Sequence, residues 1–252
     1  MYDIIGDIAI VEEDTKENRN LVNEFKNINV VLAKQSDVEG EFRVRDYEVI
    51  ASKKERDFDS VPKKYRPEKL TETIHKESGC RFKVDPTRAY FSVRLSTERE
   101  RIFKQVKDGE NILVMFAGIG PYPITIAKHK DVEKIYAIEL NPEAFKLMTE
   151  NIILNKTSNI MPILGDAGKE ALKIEGRFDR IIMPLPKESE LFLDVALRKI
   201  RPGGTIHMYK ILHENDVDSF VKKLKTQNLK LQTVKAGDYS PGSFRYCFDI
   251  TR

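Results

Sequence analysis

The stretch Ile112-Leu113-Val114-Met115-Phe116-Ala117-Gly118-Ile119-Gly120-Pro121 is an apolar run that ends in a Gly-x-Gly turn, and a second run, Ile135 to Ile138, ends in Glu139-Leu140-Asn141-Pro142. Such a turn lets the backbone leave a strand sharply and approach a ligand closely. A carboxylate at the tip of the following strand can grip a ribose diol. The turn is Phe-Ala-Gly-Ile-Gly-Pro and lacks the third glycine that packs the helix of a dinucleotide fold. The pattern therefore favours S-adenosylmethionine over NAD.

The chain has 252 residues, 40% apolar and 33% charged, the balance of a globular protein able to bury a sizeable core. It contains no run of 18 apolar residues, and its first residues lack the basic and apolar regions of a signal peptide, so a cytoplasmic protein with no membrane contact is expected. Cys80 and Cys247 stand far apart in strand-like contexts. They fit buried thiols, and no metal is expected.

The net charge of +3 hides an uneven distribution. Residues 1–50 carry 6 basic and 12 acidic side chains, whereas 51–105 carry 15 basic and 9 acidic. The segment from Lys53 to Lys69 mixes cations with Tyr65, as a phosphate-tracking surface would, or else is a solvated loop.

Residues 1–92 read as a small α+β domain, with strands over Asp3–Ile10, 29–33, 42–51, 70–75 and Cys80–Val84, and a helix over 16–27. Residues 52–69 read as a long loop. From residue 93 strand and helix alternate, beginning with a capping-box pattern at Thr97-Glu98-Arg99-Glu100 and a helix that turns Ile102, Phe103 and Val106 inward. Alternation of this kind implies a parallel sheet covered on both faces, and two final strands without an intervening helix imply an antiparallel hairpin at one edge. The expected fold class is α/β, a seven-stranded Rossmann-like domain over residues 93–252 preceded by the small domain.

Ligands in open α/β sheets bind beyond the carboxyl ends of the strands. Four tips stand out: the Gly118 to Gly120 turn, Glu139, Gly165-Asp166-Ala167 and Met183-Pro184-Leu185-Pro186. Backbone amides of the first suit the methionine carboxylate, Glu139 the ribose, and Asp166 the adenine amino group.

Together with these, Tyr90-Phe91-Ser92-Val93-Arg94-Leu95-Ser96-Thr97-Glu98-Arg99-Glu100-Arg101, Glu150-Asn151-Ile152-Ile153-Leu154-Asn155-Lys156 and Thr73-Ile74-His75-Lys76-Glu77-Ser78-Gly79-Cys80 resemble the archaeal and eukaryotic tRNA guanine-37 N1-methyltransferase family and its wyosine-pathway relatives. The resemblance implies a class I methyltransferase that takes S-adenosylmethionine and tRNA; a monomer is expected. It implies Glu98 as the base that removes the guanine N1 proton, with Arg43 its partner. It implies cofactor contacts from Tyr90, Phe116, Ala117, Gly118, Gly120, Pro121, Glu139, Leu140, Asn141, Asp166, Ala167, Met183 and Pro184. Substrate contacts are implied for Arg94, Arg99, Leu185 and Pro186. A carboxylate in a helix first turn is favoured by the macrodipole, which supports an ionised Glu98 independently.

Two positions depart from the family pattern: Val114 stands where an Asp is usual, and Pro184-Leu185-Pro186 replaces Asn-Leu-Pro. One cofactor contact and one base-recognising amide are thereby lost. Longer relatives carry an extra amino-terminal domain, and relaxed discrimination among tRNAs is expected where it is missing. The acceptor is then guanine N1, C7 of the tricyclic imidazopurine, or both, at one tRNA position. A further relative transfers the aminocarboxypropyl arm of the same cofactor. A tRNA-binding protein without catalysis, and a nicotinamide oxidoreductase, are the readings from other classes.

Overall fold

The computed structural model describes residues 2–252 other than 38, 39, 41, 43 and 226–228. Arg43 lies outside the described residues.

The amino-terminal module is a four-stranded sheet in the order β1 (Asp3–Ile5), β2 (Ile8–Val11), β3 (Val30–Lys34), β4 (Tyr47–Ser52), with helix α1 (Lys16–Glu24) against one face. The sequence pattern reads Asp3–Ile10 as one strand, but the chain folds back at Gly6 into an antiparallel pair. Gly6 has φ +57°, and a Cβ there would stand 2.2 Å from Thr73 Oγ1, so the close approach demands glycine.

Residues 53–69 are less free than a basic loop would be. Arg56 is half-buried, donates to both Asp7 carboxylate oxygens at 2.6 and 2.8 Å, and reaches the Glu72 carbonyl at 2.7 Å. Lys53 Nζ binds the carbonyls of Phe25 and Lys26. Lys54, Lys63, Lys64 and Lys69 remain on the surface.

A hairpin of β5 (Thr73–Glu77) and β6 (Cys80–Val84) links this module to the large domain. Two asparagines of helix α4 (Pro142–Asn155) fasten it. Fully buried Asn151 accepts from Lys83 N at 2.6 Å and donates to Lys83 O and Ile119 O at 3.1 Å each. Asn155 brackets Arg81 in the same way, accepting from its N at 2.8 Å and donating to its O at 2.6 Å. Asn151→Ala would orphan three buried backbone groups, so thermal and denaturant unfolding should show a loss of about 3 kcal/mol.

The large domain is a seven-stranded sheet in the order β12-β13-β11-β10-β7-β8-β9, formed by β7 (Asn111–Met115), β8 (Lys134–Glu139), β9 (Ile160–Leu164), β10 (Phe178–Met183), β11 (Ile200–His213), β12 (Lys230–Ser240) and β13 (Ser243–Thr251). Strands β7 to β11 run parallel, and β13 is antiparallel to both neighbours, inserted between β11 and the edge strand β12. One face, with Ile112, Val114, Ala137 and Ile182, packs on α2 (Ser96–Gln105), α3 (Pro121–His129) and α4. The other, with Leu113, Met115, Ile181 and Met208, packs on α5 (Ala167–Lys173), α6 (Leu193–Lys199) and α7 (Val217–Lys225).

The expected capping box does not form. A 3-10 turn, Val93–Leu95, runs directly into α2, whose cap position is Leu95 with no side-chain hydrogen bond. Thr97 thus lies inside the helix, and Glu98 is left to pair elsewhere.

Candidate active site

The carboxyl ends of β7, β8, β9 and β10 open into a cleft of about 560 Å³. Its geometry begins with the backbone. Phe116, Gly118 and Gly120 have φ of +60°, +58° and +87°, so three left-handed residues in five reverse the chain between β7 and α3. Gly120 is required by packing, because a Cβ there would meet Ile124 at 2.9 Å and Met148 at 3.0 Å. Gly118 is required by conformation alone; its nearest neighbour is the Tyr90 carbonyl, 3.8 Å from an ideal Cβ. A non-glycine residue at Phe116 in this region stores strain where the ligand is expected.

Glu139 is tied to that bend. One carboxylate oxygen accepts from Gly118 N at 2.6 Å and the other from Asn141 N at 2.8 Å. Burial pushes the Glu139 carboxyl upward, opposed by the amides of Asn141, Gly118 and Leu140. Buried Asn141 caps α4 by accepting from Glu143 N at 2.9 Å, and its amide donates to Arg88 O at 2.8 Å. Asp166 caps α5 through Lys169 N at 2.8 Å. The bend, the two caps and the Glu139 carboxylate thus form one wall.

Tyr90, Phe91, Ser92, Leu95 and Arg99 supply the opposite wall, and Phe42 and Gly40 of the amino-terminal module reach the rim. Tyr90 is 41% exposed and lines the cleft. Arg99 is buried and donates to both oxygens of Glu77 at 2.6 and 2.5 Å and to Ser92 O at 3.0 Å. It is therefore a buried brace between hairpin and cleft.

Of the residues singled out from the sequence, the cleft brings together Tyr90, Arg99, Phe116, Ala117, Gly118, Pro121, Glu139, Leu140, Asn141, Asp166, Ala167, Pro184 and Leu185. Met183 does not line it, since as a strand residue it is fully buried in the apolar core. Pro186 is also buried, and its carbonyl accepts from Ile211 N at 3.2 Å. Arg94 reaches away to Asp3, Nε to Oδ1 2.8 Å. Val114 is fully buried among Ala137 and Ile182 of the flanking strands, an apolar site with no demand for a carboxylate.

Glu98 is 5% exposed and stands outside the cleft lining. Its carboxylate accepts two hydrogen bonds from Arg101 at 2.7 Å each and one from Tyr209 Oη at 2.6 Å. Arg101 also binds Asp249 at 2.7 Å, and Asp249 accepts from His207 Nδ1 at 2.6 Å. Because Arg180 donates to His207 Nε2 at 2.6 Å, the imidazole is the neutral Nδ1–H tautomer. Burial pushes the His207 pKa down, in keeping with that form. Arg180 ends the chain on Glu110 at 2.8 and 2.9 Å. His207, Cys247 and Asp249 hold metal-ligating atoms within 4.8 Å of one another, but two guanidiniums already engage this group and burial keeps the thiol protonated. A cation has no place there.

Sequence reasoning missed Phe42, Leu95, Tyr122, Lys187, Glu188 and Phe192, all of which line the cleft. Leu95 lies inside the quoted Tyr90–Arg101 motif, and Phe42, Tyr122 and Lys187 stand next to the singled-out residues Arg43, Pro121 and Pro186, so these four were within reach of a sequence signal.

Residues 73–235 match the family described as the TRM5/TYW2 methyltransferase domain. The chain belongs to that family. Trm5b of Pyrococcus abyssi, a tRNA (guanine(37)-N(1))-methyltransferase, is 43% identical over 222 residues, covering 85% of this chain and 61% of the relative. The chain therefore spans less than two thirds of that relative. A TRM5/TYW2 relative from Methanocaldococcus jannaschii, a tRNA(Phe) (4-demethylwyosine(37)-C(7)) aminocarboxypropyltransferase, is 31% identical and covers 98% of this chain and 96% of its own. The crystal structure of M. jannaschii TYW2 in complex with AdoMet superposes with a TM-score of 0.71 at 28% identity, covering 99% of this chain and 98% of that one. Among the described residues no helix is long and apolar enough to cross a membrane.

Proposed function

We propose that this chain is an S-adenosylmethionine-dependent methyltransferase that modifies the purine at position 37 of tRNA, at guanine N1, at C7 of the imidazopurine, or at both. The observation that carries the reading is the joining of the Gly118 bend to Glu139 at 2.6 Å inside one cleft faced by Tyr90. The residues fit the cofactor. Glu139 offers carboxylate oxygens for the ribose, Asp166 an acceptor for the adenine amino group, and Leu140, Ala167 and Phe192 apolar walls for a flat base. When bound, S-adenosylmethionine supplies an electrophilic methyl on a sulfonium.

The chain's own groups do the rest. Glu98 serves as the final acceptor of the proton lost from the purine, with Arg43 as the cation that offsets charge developing on the base. Leu185 and Lys187 face the acceptor from the β10 tip, where the proline at 184 leaves recognition to shape and to the lysine. Arg99 shapes the acceptor side through its ion pair with Glu77. Residues 1–92 contribute RNA contacts, and the protein acts as a cytoplasmic monomer.

Four surface lysines, Lys54, Lys63, Lys64 and Lys69, support an RNA-tracking role for the 53–69 segment. Changing all four to glutamine should flatten the salt dependence of tRNA binding by a slope of roughly 3 in log Kd against log salt. A fluorescence titration between low and moderate salt measures it.

A second reading, transfer of the aminocarboxypropyl arm, is favoured by the near full-length match to the M. jannaschii aminocarboxypropyltransferase. Mass analysis of nucleosides from tRNA incubated with the protein and S-adenosylmethionine separates the two. A methylated guanosine or imidazopurine supports methyl transfer, and the heavier amino-acid adduct would replace it with arm transfer.

A further inference from the structure

Glu98 presents a difficulty for any proton transfer from the cleft. It does not line the cleft, and Arg101 and Tyr209 already occupy its oxygens. The path between the two is nevertheless filled with hydroxyls. Tyr122 lines the cleft, its Oη donates to Tyr209 Oη at 3.1 Å, and Tyr209 Oη donates to Glu98 Oε1 at 2.6 Å. Both tyrosines are buried, 3% and 1% exposed, so bulk water has little access to the chain.

We propose that Tyr122 and Tyr209 form a two-hydroxyl relay that carries the purine's proton from the cleft to Glu98. The inference rests on the methyl-transfer reading. As the N1–H bond of guanine breaks, its electron pair forms the new bond to the methyl carbon and the carbon–sulfur pair returns to sulfur. The released proton binds Tyr122 Oη, the Tyr122 proton passes to Tyr209, and the Tyr209 proton passes to Glu98 Oε1. Each hydroxyl gains one proton and gives one, so within the protein only Glu98 changes charge, from anionic to neutral, as the sulfonium loses its positive charge. Tyr122 is the catalytic residue at the cleft end, and Tyr209 is a positioning residue that acts through Glu98.

The surroundings are built to accept that proton. Glu98, Asp249 and Glu110 are three carboxylates against the two guanidiniums Arg101 and Arg180, with His207 neutral between them. The buried network therefore carries one net negative charge, which one proton on Glu98 cancels. Other groups facing the relay do not compete for it. The Arg99 and Glu77 pair beside Tyr122 is internally balanced, and the Cys247 thiol donates to Asp249 at 3.2 Å. Burial raises the pKa of both tyrosines, so each stays a hydroxyl, as a relay requires.

Single-turnover transfer from methyl-labelled S-adenosylmethionine to an unmodified tRNA transcript with G37, measured from pH 6 to 9 and in mixtures of H₂O and D₂O, tests the relay. The wild type should show a curved proton inventory, with more than one proton in flight. Tyr209→Phe and Tyr122→Phe should each slow transfer roughly a hundredfold near neutral pH. The loss should shrink as pH rises and hydroxide substitutes, while the Kd for cofactor and for tRNA stays within about twofold. A linear inventory in the wild type, or phenylalanine variants with its rate and pH profile, would overturn the relay even if a variant folds poorly. No labelled product from the wild type, on this transcript or on tRNA carrying the imidazopurine at position 37, would overturn the methyl-transfer reading along with it.

Discussion

Replacing Arg99 with methionine should lower the free energy of unfolding by about 3–5 kcal/mol, because it leaves the Glu77 carboxylate buried without its bidentate partner. Arg99 is 2% exposed, and it ties the hairpin's Glu77 to the backbone of Ser92 beside the cleft. The same pair fixes the sign of a pH effect. Burial alone would push the Glu77 carboxyl up, but Arg99 and His75 overcome it and hold the group below the ordinary carboxylate range. The folded value lies below the unfolded one, so this stability is present above the unfolded carboxylate pKa of about 4.3 and is lost as pH falls through the folded value. In Arg99→Met the sign reverses. Burial then dominates, and mild acid should stabilise the variant relative to itself at pH 7. Urea denaturation at pH 4 and pH 7 measures both effects.

Glu139→Ala should weaken S-adenosylmethionine binding by roughly a hundredfold or more, since the carboxylate is assigned two charge-assisted hydrogen bonds to the ribose. Part of the loss has a second origin. Glu139 also holds the amides of Gly118 and Asn141, and without it the left-handed bend from Phe116 to Gly120 loses a fixed point. Glu139→Gln separates the two contributions, because its carbonyl oxygen retains one amide bond while the charge is removed. Isothermal titration of both variants should place glutamine between wild type and alanine. Equal affinity in all three would remove Glu139 from the cofactor site.

The large sheet was legible because its signals are local. The parallel strands β7 to β10 are short and mostly apolar, and the Gly-x-Gly turn and Glu139 fall at strand tips whose meeting is dictated by adjacent parallel strands. The hairpin of β12 and β13 was legible too, although its second strand inserts beside β11. The amino-terminal module was read less well, since Gly6 turns the chain inside what looks like one strand, and the reason is contact with Thr73, distant in sequence. Glu98 shows the same limit at the site. Its residue type, helix position and i,i+3 partner Arg101 could be read from spacing, but Tyr209, and the line onward from Arg101 to Asp249, are set by packing of α2 on strands β11 and β13. Arg94 reads as a substrate contact and Arg56 as part of a basic loop, yet each finds an acid of the amino-terminal module, Asp3 in β1 and Asp7 in the turn before β2. An excess of acids in residues 1–50 beside an excess of bases in 51–105 is the compositional trace of that pairing.

Two tRNA transcripts that differ only in carrying G or A at position 37, incubated with the protein and methyl-labelled S-adenosylmethionine, test the central claim most directly. Label should enter the G37 transcript alone, in the nucleoside at that position, and vanish with Glu139→Ala at cofactor concentrations that saturate the wild type. Label in neither transcript and none in tRNA carrying the imidazopurine at position 37, or label in both transcripts alike, would contradict it.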